Sequence, residues 1–222
     1  TSAAATAQMA ATLTAGALRR VVYIYASDSS VADSFRTLLE PYGYQVDFIS
    51  MGGILSTNFT PYKAILVGYE TGSMSNWGDA AGNQANTLAL TGKPIIAMGE
   101  GGYALFGKLG LLIGHPNGAH GSGTDVFAVT PASSLWSTPN SISIPASQVV
   151  KLYDTPSNTV EIYFPSPVMG IELIGRAVSS SSHYTIISQT GQFYLWGYDL
   201  GPAAMSGKGK RLFVNLLECI IP

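Results

Sequence analysis

Charge is scarce in this chain. Of its 222 residues only 11% are Asp, Glu, Lys or Arg, against about 25% in an average globular domain. A surface so poor in charge must be covered by Ser, Thr, Asn, Gly and Tyr, which points to an extracellular or cell-surface setting. The net charge of −2 removes the electrostatic basis for nucleic-acid binding. Lys208, Lys210 and Arg211 make no basic stripe and are read as a solvated helix face. The single cysteine, Cys219, excludes an intramolecular disulfide and any thiolate metal site. It lies in an apolar helical stretch and is expected to be buried and inert. No apolar run approaches the ~18 residues of a membrane span, so no membrane partner is expected.

What is present is a regular alternation. Val21 to Ala26 is a run rich in β-branched and aromatic residues, as in a strand buried on both faces. Ser27 to Ser30 supply capping residues for a helix over 31–42, with Val31, Phe35, Leu38 and Leu39 at helical spacing. Strands follow at 44–49 and 64–69, a polar helix from about Trp77 to Leu90, and a fourth strand after Lys93-Pro94. This spacing predicts parallel βαβ units in a doubly wound sheet. Beyond Gly110 the texture changes. His115 to Gly123 reads as a turn-rich loop, and strands are expected at 124–129, 148–153 and 160–164. Gly175 to Ser182 reads as a flexible loop, and strands 184–188 and 192–198 form a hairpin around Thr190-Gly191. A helix over 210–220 closes the chain. Residues 1–18 are expected to be a leader, linker or peripheral helix, and 19–222 one α/β domain.

The most informative segment is Lys93-Pro-Ile-Ile-Ala-Met-Gly-Glu-Gly-Gly-Tyr-Ala-Leu-Phe106. A buried strand, a glycine-dense turn and a helix start make the layout of a nucleophile elbow. The turn nevertheless holds no Ser, Cys or Thr. Gly99 and Glu100 stand where the reactive side chain is expected.

Pro94 to Tyr103 resembles the elbow of class I glutamine amidotransferases, a strand followed by Gly-x-Cys-x-Gly-His-Gln. Gly99 takes the Cys position, Gly101 the next Gly, and Gly102 and Tyr103 replace His and Gln. The tail, with Gly191-Gln-Phe-Tyr-Leu-Trp-Gly-Tyr-Asp199 and then Gly209-Lys-Arg-Leu-Phe-Val-Asn-Leu-Leu217, resembles the end of amidotransferase-like and trehalose-utilisation-like domains. The family's His-x-Glu pair would fall near Gly197 to Gly201, which reads Gly-Tyr-Asp-Leu-Gly. The resemblance implies a three-layer αβα fold with a mainly parallel, flavodoxin-like sheet, elaborated by a β-rich insertion in the C-terminal half. It does not carry glutamine hydrolysis, because both a thiolate nucleophile and its base are missing.

Four carboxylates should meet at the carboxyl edge of the sheet: Asp28, Glu70, Glu100 and Asp199. Such an acidic crevice suits a polyol or a divalent cation, although no spacing motif supports a metal and none is assigned. Glu100, at a helix start, is the sharpest candidate, either as a site group or as a simple cap. Ser27, Gly99, Tyr103 and Tyr198 complete the ligand-binding candidates, the two tyrosines as stacking surfaces for a sugar or as packing beneath loops. His115, His120 and His183 read as loop residues. No cofactor is implied.

Three functions remain open. The first is a catalytically silent amidotransferase-like domain, an accessory, ligand-binding or assembly module of a larger secreted protein. For this reading the resemblance offers a precedent in the non-catalytic middle domains of some β-galactosidases. The partners expected are a small-molecule or carbohydrate ligand, other domains of the parent protein, or a second copy. The second is a hydrolase using Glu100 with Asp199 or a His as acid and base, which needs a second titratable group within hydrogen-bond reach and a recessed site. The third is an oligomerisation domain.

Overall fold

A computed structural model describes residues 19–77 and 83–221. The expected leader or helix at 1–18 lies outside the described residues. The eleven strands among the described residues join one sheet, along the path β2-β1-β3-β4-β11-β10-β9-β6-β7, with β8 pairing to β10 and to β5.

The first half follows the sequence pattern. Strand β1 (Arg19–Tyr25) pairs in parallel with β2 (Tyr44–Ser50) on one side and β3 (Ala64–Val67) on the other. Beyond β3 come β4 (Ile95–Met98) and β11 (Phe193–Trp196), both parallel to it. This 2-1-3-4 order with a fifth parallel strand is the flavodoxin-like winding. Alternate β1 residues face opposite layers. Val21 and Tyr23 pack with helix α1 (Ser30–Leu39) and α4 (Gly207–Ile220), while Val22 and Ile24 pack with α2 (Asn83–Leu90) and α3 (Gly99–Lys108). From Val21 to Ile24 and through β3 and β4 both faces are covered, which explains the unbroken hydrophobic runs there. By contrast β2, at the sheet edge, alternates Tyr44, Val46 and Phe48 with Gln45 and Asp47. The α1 pattern ends as Pro41 and Gly43 suggest: a 3₁₀ turn over Glu40–Tyr42 leads into Gly43 at φ 81°. Of the helix expected from about Trp77 to Leu90, α2 is described over Asn83–Leu90; Trp77 lies outside the helix and 78–82 outside the described residues.

The second half departs from expectation in two places. The predicted loop at His115–Gly123 contains strand β5 (Gly118–Gly123), which pairs antiparallel with β8 (Ser157–Tyr163). Its residues have little strand propensity of their own. The partner strand supplies the ladder, and a Cβ at Gly118 would press on the Tyr103 ring and the Glu161 carbonyl. Likewise the loop expected from Gly175 begins inside β9 (Ile171–Arg176), which pairs with β10 (His183–Gln189). Gly175 pairs with Ile186 in that ladder, and Val126 and Ile186 leave no room there for a side chain. The other insertion strands, β6 (Asp125–Ala128) and β7 (Val149–Lys151), lie where expected. The hairpin forms as anticipated, with Thr190 at φ 59° and Gly191 at φ 70° between β10 and β11. Cys219 is exposed, not buried: on α4 the inward face is taken by Leu212, Phe213, Leu216 and Leu217.

Candidate functional site

The elbow is present in the backbone. Met98 ends β4 in extended conformation, Gly99 turns at φ 46°, and α3 begins there. This left-handed turn is one that L side chains avoid. A Cβ on Gly99 would also overlap Oδ1 of Asp199 and crowd the Tyr198 carbonyl and the Tyr69 Cβ. Two residues on, Gly101 is required by close approach, since its Cβ would strike the Gly68 carbonyl and the Thr71 hydroxyl.

The Asp199 carboxylate occupies the place a side chain at Gly99 would enter. It follows β11, and its own N–H donates to the Asn158 carbonyl (3.1 Å) and Ser157 Oγ (3.0 Å). Oδ1 accepts the Glu100 N–H at 2.8 Å, satisfying one of the orphan donors at the start of α3. Burial raises the Asp199 pKa above the usual carboxylate range. The Glu100 charge adds to that rise, while the Glu100 N–H and His120 oppose it.

The Glu100 side chain turns outward to His120 on β5, with Oε2 2.8 Å from Nε2. This pair is open to solvent, its side chains 36% and 66% exposed. His120 meets the Tyr103 ring edge-on at 6.0 Å between centroids, and His115 meets the same ring at 5.5 Å. His183 is elsewhere, its Nδ1 2.8 Å from Ser180 Oγ.

The remaining candidates divide. Glu70, after β3, is half-buried and accepts from the Tyr23 hydroxyl at 3.2 Å. Its other oxygen, Oε1, is buried without a hydrogen-bond partner among the described residues. Burial pushes its pKa up to about 7, and the nearby charge of Asp28 adds to the rise. Asp28 itself is exposed and accepts both the N–H and the hydroxyl of Ser30 at 2.9 Å, which lowers its pKa and braces the start of α1. Ser27 is exposed beside it, with no base placed on it among the described residues. Tyr69 senses both carboxylate pairs, its phenol pKa raised by burial and then by the charges of Glu70 and Asp199.

The two tyrosines offered as stacking surfaces are not on the surface. Tyr103 is 2% and Tyr198 0% exposed. Tyr103 is held by the Gly118 N–H, which donates to its hydroxyl at 3.0 Å. The Tyr198 hydroxyl donates to the Asp125 carbonyl (3.2 Å), and its ring stacks on Tyr153 at 4.8 Å. Both therefore pack beneath the insertion. Among the described residues no group of three or more His, Cys, Asp or Glu could hold a metal ion. Tyr69 and the Ser157–Asn158 support of Asp199 were not singled out from the sequence. Ser157 and Asp199 are brought together across 42 positions and three intervening strands, which leaves no local pattern to find.

No family model and no curated protein matches this chain. Solved structures do match. PurLQS from Thermotoga maritima is similar at 12% identity, covering 92% of this chain and 100% of that one, with a TM-score of 0.58. A glutamine amidotransferase from the same organism is similar at 11% identity, covering 93% and 99%, with a TM-score of 0.55. At such identity the likeness is one of fold: the chain has the glutamine amidotransferase-like α/β fold.

Proposed function

We propose that this chain is an amidotransferase-fold domain that does not hydrolyse glutamine and serves as an accessory module of a larger secreted protein. On this reading it binds a small ligand or holds neighbouring domains, or a second copy, together. The observation that carries the reading is the Gly99–Asp199 contact. Covalent glutamine hydrolysis needs a nucleophile at the elbow and free donors for the developing oxyanion. Gly99 brings no side chain, and the Asp199 carboxylate both fills the vacant position and takes the Glu100 N–H. The low charge content of the sequence supports a secreted parent.

The test is ammonia release from glutamine, followed with a coupled dehydrogenase. The expected result is no release above the protein-free blank at any protein concentration. Release that scales with protein and disappears in Asp199→Asn would overturn the reading.

One observation favours a second reading, a hydrolase using Glu100 and His120 as acid and base, their Oε2 and Nε2 2.8 Å apart. Hydrolysis of p-nitrophenyl acetate or a p-nitrophenyl glycoside, lost in both Glu100→Gln and His120→Ala, would establish it. The exposure of both side chains favours the first reading, because acid–base catalysis gains from a site that excludes water.

A further inference from the structure

The β5–β8 ribbon presents different chemistry on its two faces. His120 lies opposite Val160 in the ladder, and His120 belongs to the elbow side. The neighbouring pairs, Gly121 with Thr159 and Ala119 with Glu161, direct Thr159 and Glu161 to the other face. There a cavity of about 300 Å³ opens, bounded by the β5–β6 junction, β8 and the segment after β9. It is the size of a small-ligand site and faces away from the Glu100–His120 pair.

Its lining selects against charge of one sign and for hydroxyl groups. Among the described residues no Lys, Arg or His borders it, while Asp125 and Glu161 do, so an anionic ligand would be repelled. Each carboxylate is held in place by a threonine. Thr124 Oγ1 donates to Asp125 Oδ2 at 2.8 Å, and Thr159 Oγ1 to Glu161 Oε1 at 3.0 Å. A carboxylate has about four acceptor sites, so each keeps capacity for a donor from outside. Ser122 and Ser179 add further hydroxyls, and Ala177 and Val178 supply one apolar wall. At the floor, the Tyr198 hydroxyl is fixed by the Asp125 carbonyl and the Thr185 hydroxyl.

We propose that this cavity binds a neutral, polyhydroxylated molecule of monosaccharide size. Vicinal hydroxyls would donate charge-assisted hydrogen bonds to Asp125 and Glu161, and the C–H face of the ring would lie on Ala177 and Val178. The inference rests on the reading of the chain as a ligand-binding module and names the ligand class and its place.

The test is a titration of the isotope-labelled full chain with glucose, galactose, mannose and myo-inositol at millimolar concentration, with gluconate as the anionic control. At least one neutral compound should give saturable shifts of the amides in 122–125 and 159–161, and gluconate should give none. Glu161→Gln should weaken binding about tenfold through loss of the charged acceptor. Gly123→Leu should abolish it: a Cβ there meets no atom within 4 Å, so the side chain enters open space with the fold intact. Should that variant melt at a lower temperature than the parent, Glu161→Gln decides alone. The proposal is overturned if none of the four neutral compounds shifts these amides, if gluconate binds equally, or if binding survives the substitutions. Silence in this titration with no ammonia release refutes the cavity and leaves the domain reading standing. Ammonia release refutes the domain reading and leaves the cavity untouched.

Discussion

The two halves of this molecule are held together by different means. Up to Lys108 the buried residues are almost entirely apolar, and Thr71 is the one buried polar side chain among the described residues there. Beyond Gly110 lie six more: Ser157, Thr159, Thr185, Ser188, Ser206 and Asn215. The first half is specified by periodicity, since a strand covered on both faces and an amphipathic helix leave one way to pack. The second is specified by individual hydrogen bonds, several of them to remote partners. Ser206 Oγ donates to the Lys151 carbonyl, Thr185 Oγ1 to the Tyr198 hydroxyl and Asn215 Nδ2 to the Leu135 and Asn140 carbonyls, while Ser157 and Thr159 bond locally to Asn158 and Glu161. The candidate site falls at the seam, with Gly99 and Glu100 from one half and His120 and Asp199 from the other.

The seam should be the most sensitive place. Gly99→Cys restores a thiol where the family resemblance would put it, yet it should destabilise the protein by about 3 kcal/mol or more, from the left-handed turn and the overlap with Asp199. Urea unfolding of Gly99→Cys and of the double variant with Asp199→Gly measures the coupling. Asp199→Gly should return part of the loss but not all, because the Tyr198 carbonyl and Tyr69 Cβ still crowd the site. Full additivity of the two changes would show that the halves do not meet there as described.

Next in size is Asn215 on α4. Its Nδ2 donates to the carbonyls of Leu135 and Asn140, and its Oδ1 accepts the Asn140 N–H. Asn215→Ala should cost about 2–3 kcal/mol by leaving those buried groups unpaired. An effect below that of an ordinary surface substitution would remove the contrast between polar and apolar specification.

Glu70 tests the first half through pH. Its folded pKa of about 7 exceeds the ordinary carboxylate value, so between the two the folded state binds more protons than the unfolded state. Stability therefore falls as pH rises through this window, and the penalty is absent below the unfolded pKa and complete above about 7. Glu70→Gln should match the parent at pH ~4 and exceed it by about 1–2 kcal/mol at pH ~8. Thermal melts at the two pH values give the comparison, and an equal effect at both would contradict the burial argument.

The smallest effect belongs to the exposed Glu100–His120 pair. Glu100→Gln and His120→Ala should each change stability by less than about 0.5 kcal/mol, as expected of a solvent-exposed ion pair. The cap of α3 is Asp199, not the Glu100 side chain. A loss above about 1 kcal/mol from Glu100→Gln alone would mean that this side chain braces the turn.

These differences also account for what could be read in advance. Strands β1, β3 and β4 were legible as continuous apolar runs, β2 by its alternation of Tyr44, Val46 and Phe48 with polar residues, and helix α1 by its helical period. Strand β5 was not, because Gly118, Gly121 and Gly123 have no strand preference and are ordered by β8. The site was half legible. The elbow identified Gly99 and Glu100, and the tail brought Asp199 to the same sheet edge. That Glu100 would choose His120 over His115, and that Asp199 would fill the turn, followed only from how the insertion folds back. Tyr103 and Tyr198 show the same limit, since a strand-end aromatic looks alike whether a ligand or a second layer of chain covers it.

The sequence by itself determined the winding of the parallel sheet, the sharp turn after β4 and the absence of a nucleophile there. These depend on local periodicity, on glycine's access to left-handed backbone and on residue identity, none of which needs a partner. Only the tertiary structure decided what stands in the vacant position. A carboxylate 99 residues away reaches the Glu100 N–H in the first turn of α3, and nothing shorter than the closed fold brings the two together.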